Sequence, residues 1–125
     1  MAPPFESLGA MIEARARAAR GTVRFLRGAP GGDEVVKVGE LAAQAGRTAA
    51  GLRRMGLKPG DRMAMLLRSN LDFARLFLGA AAAGVVPVPL YPPASLDRID
   101  HYLGNLRGIL GMVQPAALVV AREVR

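Results

Sequence analysis

Few side chains in this sequence have the types and spacing that chemistry requires. The glycine-rich loop from Gly28 to Asp33 could cradle a phosphate, but no Lys followed by Ser or Thr comes after its last glycine, as a Walker loop requires. Candidate strands flank the loop on both sides, whereas a dinucleotide-binding loop lies between a strand and a helix. We therefore predict that the loop connects the two strands of a hairpin.

Single acids and bases are also present. His101 is the only histidine; it could act as a base, but no Ser or Cys nucleophile lies near it, and it falls outside the apolar stripe of its predicted helix. We expect a surface residue that could pair weakly with Asp97, four positions earlier. Asp61 follows Pro59-Gly60 and is predicted to be a turn residue rather than a catalytic acid. With no cysteine and one histidine, neither a thiolate nor a multi-histidine metal site can form within one chain.

The segment Tyr91-Pro92-Pro93 is the strongest candidate for a binding role. It comes directly after a predicted parallel strand. If the strand order places it at the carboxyl edge of the sheet, it lies where open α/β sheets bind ligands. Tyr91, Pro92 and Pro93 are therefore predicted to face a substrate, with simple loop packing as the alternative.

The stretch from Leu57 to Pro93 predicts the unit that must position these residues. An apolar strand over Met63–Leu67 precedes a helix over Leu71–Ala83 that is apolar on nearly every side. Gly84 ends that helix, and a second apolar strand follows over Val85–Leu90. Strand, helix and strand in this order are typical of a βαβ unit with parallel strands.

The remaining segments extend this α/β pattern over the whole chain. The helix from Ser95 is predicted to have Ser95 as its N-cap and Asp97 in its first turn. We predict one incomplete domain, with an N-terminal helix in 1–20, a hairpin in 22–38 and βαβ units in 39–125. The further predicted elements are helices over 5–19, 40–55 and 95–113, and strands over 22–26, 34–38 and 117–121.

Composition limits the classes of function. The 125 residues are 51% apolar and carry a net charge of +7, and 15 of the 17 basic residues are Arg. The basic residues are scattered and only two Tyr and four Phe are present, so a nucleic-acid-binding module is the weakest of our hypotheses. No secretory signal is visible, and the apolar stretch from Phe73 to Leu90 is too interrupted for a membrane span. We expect a cytoplasmic protein.

Several short motifs resemble the start of the adenylate-forming ligases. These are Glu40-Leu41 at the opening of a helix, Gly-Leu-Lys-Pro-Gly-Asp-Arg at 56–62, Ala-Gly-Val-Val-Pro-Val-Pro at 83–89 and the strand at 117–120. Further motifs are most similar to the fatty-acid–AMP ligase and fatty acyl-CoA synthetase branch. They are Ser7-Leu8, Arg24-Phe25-Leu26, Leu71-Asp72-Phe73 and Pro-Leu-Tyr-Pro-Pro at 89–93.

The resemblance implies an activity for intact relatives. A fatty carboxylate attacks the α-phosphate of ATP with Mg²⁺, and the acyl group of the resulting acyl-adenylate passes to a carrier protein or to CoA. This sequence departs from the family pattern, because Val38-Gly39 stands where an aromatic residue is usual. It also has no counterpart of the Ser/Thr/Gly-rich phosphate loop or the catalytic Lys.

We therefore expect the N-terminal fragment of such a ligase, a non-catalytic scaffold that binds no cofactor or metal by itself and whose partner is the rest of the ligase domain. An alternative is a stand-alone interaction remnant of the same fold, docking through its uncovered sheet edge and apolar helix. An isolated chain with an unfinished core is also expected to be able to associate with itself.

Overall fold

A computed structural model describes residues 4–18, 20–26, 31–93 and 97–121 of the chain. It confirms an α/β architecture in which helices flank parallel strands. Along this part of the chain run α1 (Leu8–Ala18), β1 (Thr22–Phe25), β2 (Glu34–Lys37), α2 (Val38–Arg54), β3 (Arg62–Leu66), α3 (Asn70–Ala83), β4 (Val86–Leu90), α4 (Ile99–Val113) and β5 (Ala117–Val120).

The strands form two sheets. β1 and β2 pair antiparallel with Thr22 opposite Lys37, which confirms the hairpin; residues 27–30 of its loop lie outside the described residues. The other sheet is parallel, in the order β4-β3-β5. β3 is its centre, paired with β4 from Arg62–Val86 to Leu66–Leu90 and with β5 from Met63–Ala117 to Leu66–Val120.

The α3 face of the parallel sheet holds the main core. Met63 and Met65 point to this face and are completely buried. They pack with Ala49 and Leu52 of α2 and with Ala80 of α3. α2 and α3 lie close together because α3 has a glycine at their contact: a Cβ at Gly79 would lie 2.5 Å from the Thr48 methyl carbon.

A helical layer covers this core. Ile12 of α1 packs with Ala42 and Ala45 of α2 and with half-buried residues of α3. The nearly all-apolar composition of α3 is thereby explained, because the helix contacts the sheet, α1 and α2 on different sides.

The α4 face is built differently. Ala64 and Leu66 point to it and pack under Leu106 and Leu110. No residue of α4 is buried, so this face is covered by one half-exposed helix. The guanidinium of Arg62 in β3 donates a hydrogen bond to the Val113 carbonyl at the end of α4, at 2.8 Å, and so connects the strand to the helix.

The ends of α3 have clear local causes. The Ser69 hydroxyl accepts a hydrogen bond from the Asp72 N–H at 3.3 Å, which satisfies one of the free donors of the first turn. Gly84 ends the helix with φ +77°, a left-handed conformation that glycine adopts without a steric penalty. These two signals confirm the predicted α3 almost to the residue.

Several expected details were wrong. Val38 belongs to α2 rather than to β2, because the chain turns at Lys37 while the Val38 N–H still bonds the Gly21 carbonyl at 3.1 Å. α4 begins at Ile99, so Asp97 precedes the helix and the acid in its first turn is Asp100.

Other expectations concern single side chains. No ion pair joins Asp97 to His101 in the described part of the chain, and both are exposed. Ser95, the expected N-cap of α4, lies outside the described residues. Met55 is the last residue of the helix predicted over 40–55, but it follows the end of α2 and is exposed. None of the helices within the described ranges is long and apolar enough to cross a bilayer.

Candidate functional site

The carboxyl ends of β3 and β4 lie side by side, and the chain leaves them toward opposite faces of the sheet. After β3 it enters α3, which packs on the face of Met63 and Met65. After β4 it reaches α4, which packs on the face of Ala64 and Leu66. The two connections therefore start side by side at the carboxyl edge of the sheet, the edge at which open α/β sheets bind ligands.

An open crevice of about 460 Å³ lies between these two strand ends. Much of its wall is apolar, from side chains of both strand ends and of the first turn of α3. Arg68, Asn70 and Tyr91 supply the polar side chains. The lining residues are Leu67, Arg68, Asn70, Phe73, Pro89, Leu90, Tyr91 and Pro92.

The turn between β3 and α3 positions one side of the crevice. Ser69 is the N-cap of α3 and still has extended backbone, with φ −74° and ψ 124°, so the three residues 67–69 lead from the end of β3 to the first turn of α3. Arg68 and Asn70 flank this cap and both reach the crevice. Phe73 is one turn further on, and its ring stacks on Phe77 with centroids 5.7 Å apart, which holds the apolar wall in place.

The segment after β4 forms the other side. The Tyr91 carbonyl accepts a hydrogen bond from the Tyr102 hydroxyl at 2.7 Å, so the backbone is held against α4. The Tyr91 side chain is 89% exposed and extends into solvent at the mouth of the crevice. Pro92 is half-buried and lines the crevice, and the half-buried Pro93 follows it outside the lining.

The structure thus brings two of the three residues predicted to face a substrate to one crevice, Tyr91 and Pro92. It separates the other candidates from that crevice. Asp61 lies at the amino end of β3, where its carboxylate accepts a hydrogen bond from the Lys58 N–H at 2.8 Å, which confirms the turn role. His101 is exposed on α4.

Three contributors escaped the sequence prediction: Arg68, Asn70 and Phe73. In the sequence they read as the break after one strand and the start of a helix. The signal that could have identified them is the strand order, because residues after the carboxyl end of β3 meet those after β4 only when these strands are neighbours.

The arrangement favours binding over chemistry. Among the described residues, the polar side chains of the lining are Arg68, Asn70 and Tyr91, which are groups suited to holding a polar end of a ligand. Across 4–18, 20–26, 31–93 and 97–121, no three His, Asp or Glu side chains come together as a metal site. An apolar wall beside Arg68 and Asn70 suits a molecule with an apolar body and a polar end.

Comparison with known proteins places this geometry in a family. Residues 12–117 match the family model described as AMP-binding enzyme. The structure is similar to that of a fatty acid AMP ligase from Legionella pneumophila, with a TM-score of 0.83 and 28% identity over 96% of this chain.

Two curated relatives are similar in sequence. A long-chain-fatty-acid–AMP ligase of Mycolicibacterium smegmatis is 33% identical over 84 residues, which is 67% of this chain. A 4-hydroxybenzoate–CoA/benzoate–CoA ligase of Rhodopseudomonas palustris is 33% identical over 85 residues, or 68% of this chain. This chain spans 12% and 16% of the lengths of these two proteins and 20% of the Legionella chain.

Proposed function

Because the chain belongs to the AMP-binding enzyme family, we propose that it forms the N-terminal part of the adenylating domain of a ligase that activates a carboxylic acid with ATP. In that reaction a carboxylate oxygen attacks the α-phosphorus, the bond to the β-phosphate oxygen breaks, and acyl-adenylate and pyrophosphate result. The observation that carries the proposal is the similarity of nearly the whole chain to one fatty acid AMP ligase at a TM-score of 0.83.

The role proposed for these residues is positioning rather than catalysis. Stabilising the charge that develops on a phosphate needs preorganised donors or a metal ion. The described residues offer no group of carboxylates that fits Mg²⁺, and the sequence has no Ser/Thr-rich phosphate loop. ATP and Mg²⁺ are therefore assigned to other parts of the intact enzyme, and we derive no step of the reaction through this chain.

The crevice at the carboxyl ends of β3 and β4 supports a substrate class. Leu67, Phe73 and Leu90 offer an apolar wall, and Tyr91 and Pro92 flank its mouth. A fatty acid has the matching chemistry: a long apolar chain and one polar end. The similarity to a benzoate ligase makes a flat aromatic acid the second candidate, since the lining residues Phe73 and Pro92 are also suited to pack against an aromatic ring.

A graft tests the proposed function. The segment of the Legionella fatty acid AMP ligase that matches this chain is replaced by these 125 residues, and pyrophosphate release is measured with ATP, Mg²⁺ and either a fatty acid or benzoate. We expect the graft to release pyrophosphate with a fatty acid, whereas the chain alone gives no turnover above background.

The controls separate folding from function. A graft carrying Gly79→Leu, which forces α2 and α3 apart, is expected to lose activity together with its fold by circular dichroism. A well-folded, inactive graft would count against the proposed family role. Turnover by the isolated chain at the rate of the graft would disprove the scaffold role. A preference of the graft for benzoate over the fatty acid would make an aromatic acid, instead of a fatty acid, the proposed substrate class.

A further inference from the structure

The two walls of the crevice at the carboxyl ends of β3 and β4 are held in different ways. The wall on the α3 side is part of the packed core, because Phe73 contacts the main cluster of buried residues and stacks on Phe77. The other wall is the segment 91–93, which belongs to no helix or strand. Its position must therefore come from contacts outside regular secondary structure.

The backbone pattern of β4 shows where the sheet stops holding this segment. The Val86 N–H donates to the Asp61 carbonyl at 2.7 Å, and alternate residues of a parallel strand direct their backbone groups to the same side. Pro87, Pro89 and Tyr91 therefore direct theirs away from β3. Because proline has no N–H, this outer edge of β4 lacks the donors that another strand needs. Once β4 ends, the sheet no longer fixes the chain.

The two prolines that follow leave few ways to anchor the segment. Neither Pro92 nor Pro93 has an N–H, so the backbone of 91–93 is fixed mainly through its carbonyl oxygens. Within the described ranges, the hydroxyl of Tyr102 is the only group that hydrogen-bonds the backbone of this segment, and it donates to the Tyr91 carbonyl at 2.7 Å. This distance is the usual one for an O–H···O hydrogen bond. One hydroxyl therefore anchors the segment.

The carbonyl that accepts this bond orients more than its own residue. A peptide unit is planar, so the carbonyl of Tyr91 lies in one plane with the ring nitrogen of Pro92. Holding the carbonyl therefore orients the proline ring, and it also fixes the backbone from which the Tyr91 side chain leaves. Both residues line the crevice, so one hydrogen bond sets the direction of two residues of its wall.

Tyr102 is itself held in place by α4. Leu106 and Leu110 follow it at intervals of four, so the three side chains form one stripe along the helix. All three are half-buried, and the two leucines pack on Ala64 and Leu66 of the sheet. The phenol ring thus extends a stripe that is packed on the sheet, and its hydroxyl reaches the chain just beyond the end of β4.

The size of the effect decides what this bond can do. A single hydrogen bond shifts an equilibrium about five-fold, which is little beside the folding of a whole chain. For a segment with no other backbone anchor it is large. Without the bond, a smaller share of molecules has the wall in its crevice orientation, and a ligand that needs that orientation binds more weakly by the same factor.

We propose that Tyr102 is a positioning residue for the acid substrate, whose hydroxyl orients the Tyr91–Pro92 peptide and so sets the shape of the crevice that receives the acyl chain. This role rests on the proposed function and adds to it a residue outside the crevice lining. Tyr102 acts through Tyr91 and Pro92 and takes no part in the chemistry. An apolar chain that lies between Phe73 and Pro92 finds this wall already ordered, which avoids the entropy cost of ordering it on binding.

Carbonyl NMR of the 125-residue chain tests the hydrogen bond itself. The sequence has two tyrosines, so tyrosine labelled with ¹³C at its carbonyl carbon gives one signal for each. Tyr102→Phe removes the hydroxyl, keeps the ring in the packed stripe and leaves only the Tyr91 signal. That signal is expected to move to lower chemical shift, because its carbonyl has lost a hydrogen bond. Asn105→Ala, at an exposed position of the same helix, is expected to leave both signals in place.

The ligase graft tests the role in substrate binding. Pyrophosphate release is measured with the fatty acid varied at saturating ATP, and then with ATP varied at saturating fatty acid. In the Tyr102→Phe graft, KM for the fatty acid is expected to rise about five-fold, while KM for ATP stays the same and kcat changes less than about two-fold. A purely structural loss would lower the amount of active enzyme and leave both KM values unchanged. The Asn105→Ala graft is expected to match the unmodified graft.

Pro92→Ala tests the same peptide from its other side. It removes the ring that fixes φ and is expected to raise KM for the fatty acid as well. Because both substitutions act through one peptide unit, the double variant is expected to raise this KM by less than the product of the two single effects. If Tyr102→Phe prevents folding of the graft by circular dichroism, Pro92→Ala takes its place, and an unchanged KM for the fatty acid would then overturn the proposal.

Four results would overturn the positioning role while the unmodified graft is active. They are a Tyr91 carbonyl signal that Tyr102→Phe leaves in place, an unchanged KM for the fatty acid, equal rises in KM for the fatty acid and for ATP, and a double variant with the full product of the single effects. Each of these leaves the proposed function intact. A folded, unmodified graft that releases no pyrophosphate would count against the proposed function instead, and the role of Tyr102 would fall with it.

Discussion

The two faces of the parallel sheet are covered to different depths. On the α3 face, Met63 and Met65 are completely buried beneath α2 and α3, and α1 adds a further contact to that helical layer. On the other face, α4 covers Ala64 and Leu66 without burying any of its own residues. β3 therefore lies between a core that is closed by helices on the α3 face and a thinner one, on the α4 face, whose covering helix still exposes apolar surface.

The difference teaches that the stability of this chain comes mainly from one side. A buried side chain stabilises in proportion to the area it removes from water and to how tightly its neighbours close around it. Both quantities are larger beneath α3 than beneath α4. Substitutions matched across the two faces can measure this asymmetry.

The largest effect is expected from truncating the buried core. Met65→Ala removes a completely buried side chain and is expected to lower the free energy of unfolding by about 3 kcal/mol. Leu110→Ala on the half-exposed α4 is expected to cost about 1 kcal/mol. Urea denaturation measures the free energy of unfolding of both variants. Equal losses would contradict the difference in burial between the two faces of the sheet.

A smaller effect is expected from one substitution made in two helices. Gly79→Ala gains helix propensity but places a Cβ 2.5 Å from Thr48, so we expect a net loss of about 2 kcal/mol. Gly104→Ala meets no atom within 4 Å and is expected to gain about 1 kcal/mol. Thermal unfolding should shift in opposite directions; a gain at both positions would show that α2 and α3 can separate without cost.

Helix capping is expected to differ by less. Ser69→Ala removes the hydroxyl that accepts the Asp72 N–H at the start of α3, with an expected loss of about 1 kcal/mol. The N-cap of α4, Arg98, makes no side-chain cap hydrogen bond, so Arg98→Ala should change the unfolding midpoint little. A larger loss at Arg98 than at Ser69 would reverse the ranking of the two helices.

The smallest effect on unfolding is expected at the outer edge of β4, where proline leaves no N–H for another strand. Pro89→Val changes a residue whose backbone faces away from β3, so the free energy of unfolding should stay within about 0.5 kcal/mol of the wild type. The assembly is expected to change instead, because an outward N–H on β4 gives this edge a donor with which another strand can pair. Light scattering should show larger species for Pro89→Val than for the wild-type chain, while Val88→Ile on the same strand serves as the control.

Local signals explain which elements the sequence predicts well. α3 has a capping serine, an acid in its first turn and a terminal glycine. Gly84 was predicted to end the helix, whereas Ser69 and Asp72 are local signals that the prediction did not use. α4 has weaker signals: three glycines and no capping side chain. Its start at Ile99 instead of Ser95 agrees with this weakness, because Arg98 at its N-cap makes no side-chain cap hydrogen bond.

Strand order is the part that the sequence could not supply. Tyr91 and Pro92 could be predicted as candidates because they follow a strand, but Arg68, Asn70 and Phe73 join them only because β3 and β4 are neighbours. Period and propensity describe each segment alone, and pairing depends on contacts between segments distant in the chain. The exposure of Leu103 on α4 could not be predicted for the same reason, because this residue continues the apolar stripe of its helix yet is about half exposed.

The absence of any buried residue in α4 has a consequence for how the native state opens. β3 is bonded on both sides, whereas β5 is bonded to β3 on one side only. One face of β5 lies under α4, and Ala117 and Val119 on its other face are only partly buried against the main core. The segment from Ile99 to Ala121 can therefore detach as a unit while β3, α3 and β4 stay together. Amide protons of α4 and β5 should exchange with solvent through this partial opening. Their exchange rates should be well above those of the Met63 and Met65 amides, which exchange only when the whole chain unfolds.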